Sequence, residues 1–374
     1  MLIIRPMQPA DLDDLMALAK AAGQGMTSLP EDPEALLARI QRSCDSFARQ
    51  QRHHDDFFFL AMEDTEQQRV VGSAGVYAMT GARQAFYAYR LMTMTHFSHS
   101  LQKQVRSQML HLTNDYTDCS EVGSLFLDPA YRGNGHWLAR SRYLLMGLYP
   151  DRFAESVIAE MRGWTDAEGN SPFWDAIGRQ FFEMEFDDAD TLCGVGSNQF
   201  ITELMPKYPI YTNLLPAAAQ AVIGRPADAG RRAKELLEEE GFRFEKVVDI
   251  FDAGPLMRAD LNDIASVRAI RQHHALAMNE LLNDPTPAEQ VIAANPDWAN
   301  FRVICTQATE AMATNSRLAP ASSEGLALSD EALTALQLHA GDPIAWIPHK
   351  LNSRPAHNLS NPLTNNSSNN RGRG

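Results

Sequence analysis

The sequence predicts a mixed α/β (α+β) fold, and three observations carry that reading. Short apolar runs bounded by turn residues alternate with amphipathic stretches of helical period. A single glycine-bearing strand-to-helix turn, Arg132-Gly133-Asn134-Gly135, stands near the middle of the chain. No period of about 20 to 50 residues recurs, which excludes a repeat architecture.

In chain order, Leu2 to Arg5 reads as a first strand ended by Pro6. Asp11 is placed to cap a helix whose apolar face is Leu12, Leu15, Met16, Leu18 and Ala19, a 3.6-residue period. A second helix is predicted from Pro33, with Asp32 at the N-cap and proline at the first helical position. "DFFFLAME" and "RVVGSAGVYAM" read as a hairpin across the polar "DTEQQ". "QAFYAYRLMTMTHFS", "SEVGSLFLD" and "SVIAEMRG" read as further strands, the second running into the glycine turn. "FWDAIGRQFF" and "DAGRRAKELLEEEGF" read as helices, the latter stopped by Gly241, and "FEKVVDIFD" as a strand.

The composition changes near Asp252-Ala253-Gly254-Pro255. We therefore expect residues 1–252 as one domain and 253–350 as a small, mostly β subdomain with strands at "NFRVICTQA", "GLALS" and "DPIAWIP". Residues 351–374 are rich in Asn and Ser, with almost nothing to bury, and are expected to be disordered.

The 374 residues, 44% apolar and 21% charged, describe a globular protein with a sizeable core. The net charge of −14 argues against nucleic acid and anionic membranes as partners and leans towards a cationic substrate. No apolar run approaches the roughly 20 residues that span a bilayer. Met1 to Pro6 lacks the pattern of an export signal. Cys44, Cys119, Cys193 and Cys305 are scattered, with no metal-like spacing. Reduced thiols in a cytoplasmic protein are the simplest expectation. The adjacent pairs His53-His54 and His273-His274 are expected to diverge, and no metal site is expected.

Glycines at Arg132-Gly133-Asn134-Gly135 let backbone N–H groups converge, and the helix behind them offers its positive end. Such a turn accepts an anion, usually phosphate, with Arg132, Arg140 and Arg142 as supporting charges. It also serves as plain connection, and it is neither a Walker A loop nor a dinucleotide fingerprint. Its placement resembles the coenzyme A signature of GNAT acyltransferases, Gln/Arg-x-x-Gly-x-Gly/Ala. Arg132 and Gly135 match; Trp137 stands where the last small residue belongs.

A longer set of motifs is more specific. "RPMQPADLDDLMALA", "TSLP", "SLFLDP", "VIAEMRG", "SPFWDAIGRQFF", "ELMPKYPIY", "EGFRF" and "DIFDAGP" together resemble the arginine N-succinyltransferase family, in order, from residue 1 to about 270. The likeness returns faintly at "NFRV" and "LQLHAGDPIAWI". The resemblance implies a GNAT-like core and a succinyl group carried from succinyl-CoA to the α-amine of arginine, the opening step of arginine catabolism. It also implies an oligomer, homomeric or with a paralogous subunit. Two alternatives stay open: a supporting, non-catalytic subunit, and an acyltransferase for another cationic amine such as ornithine.

Within that frame the resemblance places succinyl-CoA contacts at Leu125 and the turn Arg132, Gly133, Asn134 and Gly135. In GNAT-like folds the central strand before the turn carries a bulge whose N–H faces the thioester carbonyl, and Gly123 would permit one here. Glu121 and Glu160, on neighbouring predicted strands, can hold a guanidinium or take the amine proton; each is also an ordinary rim charge. Arg162 is expected on the face opposite Glu160. Asp166, Glu168, Asp187, Asp188 and Asp190 read as solvated loop charges. A phenol at Tyr208 or Tyr211 is a candidate acid for the leaving thiolate, or packing. The family's proton-donor histidine follows a Val-Ile-Gly segment, and the matching position here is Ala227. The expectation is a chain that binds succinyl-CoA and turns over arginine slowly.

Overall fold

The structure is a computed structural model, and it describes residues 1–23, 26–82, 85–186, 188–189, 203–278, 287–312 and 324–351. Asp187, Asp190, Cys193 and the tail beyond 351 lie outside these.

The run "DFFFLAM" is apolar throughout because its strand is buried on both faces. In β2 (Phe57–Asp64), Phe57, Phe59 and Ala61 pack under α1 (Leu12–Ala22) and α2 (Pro33–Ala48). Phe58, Leu60 and Met62 face the opposite core with α3 (Gly135–Leu148). Period-2 alternation thus feeds two cores at once. β2 forms the expected hairpin with β3 (Arg69–Tyr77), Phe57 opposite Tyr77 and Asp64 opposite Arg69.

Around this pair the strand order is β1 (Leu2–Pro6), β2, β3, β6 (Ser120–Leu127), β7 (Ser156–Glu160), β10 (Pro255–Asp260), β9 (Arg243–Val248), β4 (Ala88–Ser98), β5 (Lys103–Thr113) and β8 (Ile210–Tyr211). All neighbours there are antiparallel except β6 and β7. β5 is a strand the sequence pattern did not reveal; its first four residues are exposed and mostly polar, so neither periodicity dominates.

Local expectations are met with two changes. Asp32 caps α2 by accepting from Glu34 N and Ala35 N, at 2.9 and 3.4 Å. Asp11 occupies the N-cap position of α1, but its carboxylate does not bond the helix. It holds Arg5 bidentately at 2.8 and 2.9 Å and accepts from Gln8 N, since a buried arginine offers a stronger bond than a neutral N–H. "FWDAIGRQFF" is two short helices, α4 (Pro172–Ala176) and α5 (Gly178–Phe182), broken at Ile177. α6 (Ala217–Val222) and α7 (Arg231–Glu239) follow, and α7 stops before Gly241 at φ 102°.

The C-terminal strands form a small closed barrel. β11 (Arg271–Ala277), β14 (Glu324–Leu328), β13 (Arg302–Met312), β12 (Glu289–Asn295) and β15 (Pro343–Pro348) pair in a ring, β15 returning to β11. β13 also pairs with β1, which welds the barrel to the main sheet. The divide expected at 252 is displaced: β10 is hydrogen-bonded between β7 and β9, and α8 (Ala265–Arg268) packs on α3. The mostly β unit thus begins at β11, and α9 (Asp330–Leu336) closes its core.

Candidate active site

Among the described residues β6 and β7 are the only parallel neighbours in the main sheet, and they pair at just two positions, Ser120 with Val157 and Glu121 with Ile158. Both strands continue, so beyond Glu121 they part and leave a cleft. β6 is bulged at the same place: Gly75 faces Gly123 and Ser73 faces Phe126, leaving Ser124 and Leu125 opposite Ala74 alone. A bulge removes a residue from the ladder and frees its backbone groups. The positive φ falls on Ser124, at 49°, and not on the Gly123 that the sequence offered. Ser124 is 3% exposed and its Oγ has no partner, while its carbonyl accepts from Ser73 Oγ at 3.0 Å. A left-handed, unsatisfied serine costs of order 1–3 kcal/mol, strain of a kind that concentrates at working sites.

The cleft opens into a cavity of about 500 Å³, the size of a small-molecule site. Gly123, Ser124 and Leu125 form its floor. On one side stand Glu121, Glu160, Asp249 and Asp252, with Arg39 and Arg162; on the other stand His136, Arg140, Arg142 and Glu240.

The acidic side concentrates charge. Burial raises the Glu121 carboxyl above its usual range, and Arg39 opposes this. Glu160 is raised by burial and by the charge of Glu121 and Asp252. Because Glu160 is open to cavity water, the repulsion is the cause that persists when the cavity is hydrated. Asp249 is pushed up to about 7 by burial and then by Glu160. Asp252 is pushed up to about 8 by burial and then by Asp249, against the pull of Arg162. The neighbouring Asp249 side chain partly offsets the rise at Glu160. Asp249 and Asp252 also build the turn that carries them: Asp249 Oδ1 accepts from Phe251 N and Asp252 N, and Asp252 from Gly254 N and Gly163 N. A side chain at Gly163 would meet Asp252 O at 2.3 Å, so only glycine allows this closure. Arg162 lies 3.4 Å from Asp252 Oδ2 and joins Glu160 in the lining, which corrects the opposite-face expectation: residues two apart along an extended chain share a face.

On the other side, the glycine turn has the expected form. Gly133 sits at φ 101° with open space around it, and α3 starts at Gly135. The first N–H to find a carbonyl inside the helix is Leu138, bonded to Asn134 O at 3.2 Å, so the N–H groups before it point out of the helix end. Asn134 is committed locally, accepting from Trp137 Nε1 at 3.1 Å. That contact accounts for tryptophan at the signature's last position. Arg132 is exposed. Arg140 and Arg142 are not at the turn: both are buried along α3, and Arg140 pairs with Glu240 at 2.8 Å. His136 contacts His349, Nε2 to Nε2 at 2.6 Å, and Arg140 donates to His349 O. The end of the barrel therefore touches two residues of the cavity lining, a contribution that no local pattern announced. Burial, ahead of neighbouring charge, lowers the affinity of both histidines for a proton.

Other candidates fall elsewhere. Tyr211 lies on edge strand β8, its OH 3.9 Å from Met94 Sδ, outside the cavity lining; Tyr208 is 86% exposed. Both lose their claim as the acid. Ala227 sits at the rim: its N–H donates to the carbonyl of lining residue Arg162 at 2.8 Å. His53 and His54 do not diverge. Their rings are 4.1 Å apart, and with Asp55 they bring possible ligand atoms within 4.8 Å of one another, away from the cavity. Among the described residues no helix is long and apolar enough to cross a membrane.

The family model for the arginine N-succinyltransferase beta subunit matches residues 2–266. The arginine N-succinyltransferase of Citrobacter koseri is 38% identical over 351 residues, covering 93% of this chain and 97% of that protein. That of Escherichia coli is 39% identical over 349 residues, with the same coverage. Among solved structures, subunit AI of the Pseudomonas aeruginosa arginine/ornithine succinyltransferase superposes with a TM-score of 0.79 at 30% identity, over 93% of this chain and 98% of its own. The bulged, splayed strands and the cavity they open are thus those of a protein that belongs to the arginine N-succinyltransferase family.

Proposed function

We propose that this chain transfers the succinyl group of succinyl-CoA to the α-amine of L-arginine, at the cavity between the splayed strands β6 and β7, as a cytoplasmic step of arginine catabolism. The observation that carries this is the gathering of Glu121, Glu160, Asp249 and Asp252 beside a bulged strand. An acidic wall selects a cationic amine, and a bulge offers N–H groups to a thioester oxygen. Coenzyme A enters along α3, its phosphates at the Gly133–Gly135 turn and its thioester at Leu125. Glu121, facing Arg39, holds the guanidinium. Glu160 accepts the proton of the α-ammonium, for which an elevated carboxyl is suited. The amine nitrogen then bonds to the thioester carbon and gives up its second proton to water, the oxyanion is held at the bulge, and the carbon–sulfur bond breaks. The thiolate takes its proton from water, because Ala227 has none to give, and turnover is slow. No metal takes part. Family naming as a beta subunit and as subunit AI supports an assembly with like or paralogous chains.

Steady-state kinetics of two variants test the assignment. Glu160→Gln should lower kcat by roughly 10²-fold or more with little change in KM for arginine, and Glu121→Gln should act mainly on that KM. In the wild type, kcat/KM should rise with pH through the Glu160 pKa, because only the carboxylate accepts the proton. That limb should lie above the ordinary value of about 4 and vanish in Glu160→Gln. A Glu160→Gln enzyme within threefold of wild type, or a limb that persists, would reject Glu160 as the base. Ornithine in the same assay reads how far the acidic wall discriminates among cationic amines.

A further inference from the structure

The Arg142 side chain is the feature this mechanism leaves unused. It is a guanidinium 3% exposed, in the middle of α3, and it lines the cavity. Its only hydrogen bonds among the described residues go to backbone carbonyls: Nε to Ala139 O at 3.1 Å and Nη1 to Gly123 O at 3.4 Å. The nearby carboxylate, Glu240, is already taken. It accepts from Arg140 Nε at 2.8 Å and from Ser266 N and Oγ at 2.8 and 2.9 Å. Two buried guanidiniums therefore face one carboxylate, and Nη2 of Arg142 has no bonded partner among the described residues. Removing a cation from water without a counter-charge of its own is unfavourable; burial accordingly pulls the Arg142 guanidinium down from its usual pKa. A surplus positive charge opening on a cavity fits an anionic ligand group.

Its position says which one. Arg142 lies seven residues beyond Gly135, two helical turns, or roughly 10 Å from the end where phosphates bind. It reaches the carbonyl of Gly123, two residues before Leu125, so the guanidinium is about two strand steps, roughly 7 Å, from the thioester position. Succinyl differs from other four-carbon acyl groups in carrying a carboxylate at its far end, two methylenes from the thioester carbon. We propose that Arg142 is the residue that selects a dicarboxylic acyl donor, its guanidinium pairing with the terminal carboxylate of the succinyl group. The inference rests on the acyl-CoA reading above but not on the amine or on turnover.

Calorimetric titration of the intact protein with coenzyme A, butyryl-CoA and succinyl-CoA tests it without any reaction. Butyryl-CoA has the same chain length and no charge. The wild type should bind succinyl-CoA at least tenfold more tightly than butyryl-CoA, and Arg142→Met should abolish that preference while leaving the affinity for butyryl-CoA within about threefold. Arg142→Lys should keep part of it. Should the methionine variant fail to fold, the wild-type comparison and the lysine variant still decide. Equal wild-type affinities for the two acyl-CoAs would overturn the role of Arg142 and leave the acyl-CoA site standing. Failure of coenzyme A itself to bind would overturn both.

Discussion

The C-terminal barrel and the β6–β7 cleft are made by the same chain under opposite rules. In the barrel every strand has at least two neighbours, and the interior is Ala275, Val291, Ile304, Leu326, Leu328, Leu336 and Trp346. Its buried Asn295 is satisfied by Leu336 O at 2.9 Å. At the cleft, a parallel pair stops after two positions, a serine sits at positive φ with its hydroxyl unsatisfied, carboxylates crowd, and among the described residues a buried guanidinium has no carboxylate of its own to pair with. Local consistency is what makes a region stable, and departures from it concentrate where binding and chemistry need them. The barrel supplies stability that the cleft gives up, and through His349 it also contacts His136 and Arg140 of the cavity lining.

The comparison breaks most visibly at Trp346, which is fully buried in the barrel. Trp346→Ala should cost about 3–5 kcal/mol of unfolding free energy, read from urea denaturation. The turnover of molecules that remain folded should stay within a factor of two. A loss below about 1 kcal/mol, or a folded fraction with turnover down tenfold, would show that barrel and cleft are not separable in this way.

How far the sequence anticipates each region follows from how local its causes are. The β2 run, the Asp32 cap, the 132–135 turn and the strand status of Glu121 and Glu160 are read within a few residues, and the structure has them. That the two glutamates share one cavity with Asp249 and Asp252 depends on β7 and β10 pairing around the cleft, which periodicity does not encode. Arg142 is placed by helix packing; in the sequence it is one arginine among several near a glycine turn. His349 reaches His136 only because the barrel closes. Gly123 marked the bulge, yet the strain sits on Ser124, since glycine advertises tolerance and not need. The Asp249–Asp252 turn had a readable signal in the motif "DIFDAGP", where acidic residues precede Gly-Pro, but spacing gives no hint that it faces β7.

A smaller effect is expected at Ala227. The backbone there is extended, φ −51° and ψ 147°, which histidine adopts without strain, and the residue is half-buried beside Arg162. Ala227→His should raise kcat by about 10²-fold, the lower end of what a general acid contributes, with KM for arginine little changed. It should leave stability nearly untouched, which distinguishes a missing proton from a poorly formed cleft. A kcat within twofold of wild type would mean that the proton reaches the thiolate by another route and that the alanine is not the limiting feature.

The smallest expected change is also the one that separates stability from function most sharply, because the two should move in opposite directions. Gly135 begins α3, and a Cβ there would meet only Leu127 Cδ2, at 4.0 Å. Gly135→Asp should therefore fit. An aspartate in the first helical turn interacts favourably with the positive end of the helix, by about 0.3–1 kcal/mol, and should raise the thermal midpoint slightly. The same charge stands where the coenzyme A phosphates approach, and should weaken coenzyme A by about tenfold, or about 1.4 kcal/mol. Calorimetry and thermal denaturation on one preparation read both. Weaker binding together with lower stability would mean simple damage. Unchanged binding with a raised midpoint would move the phosphates away from the turn.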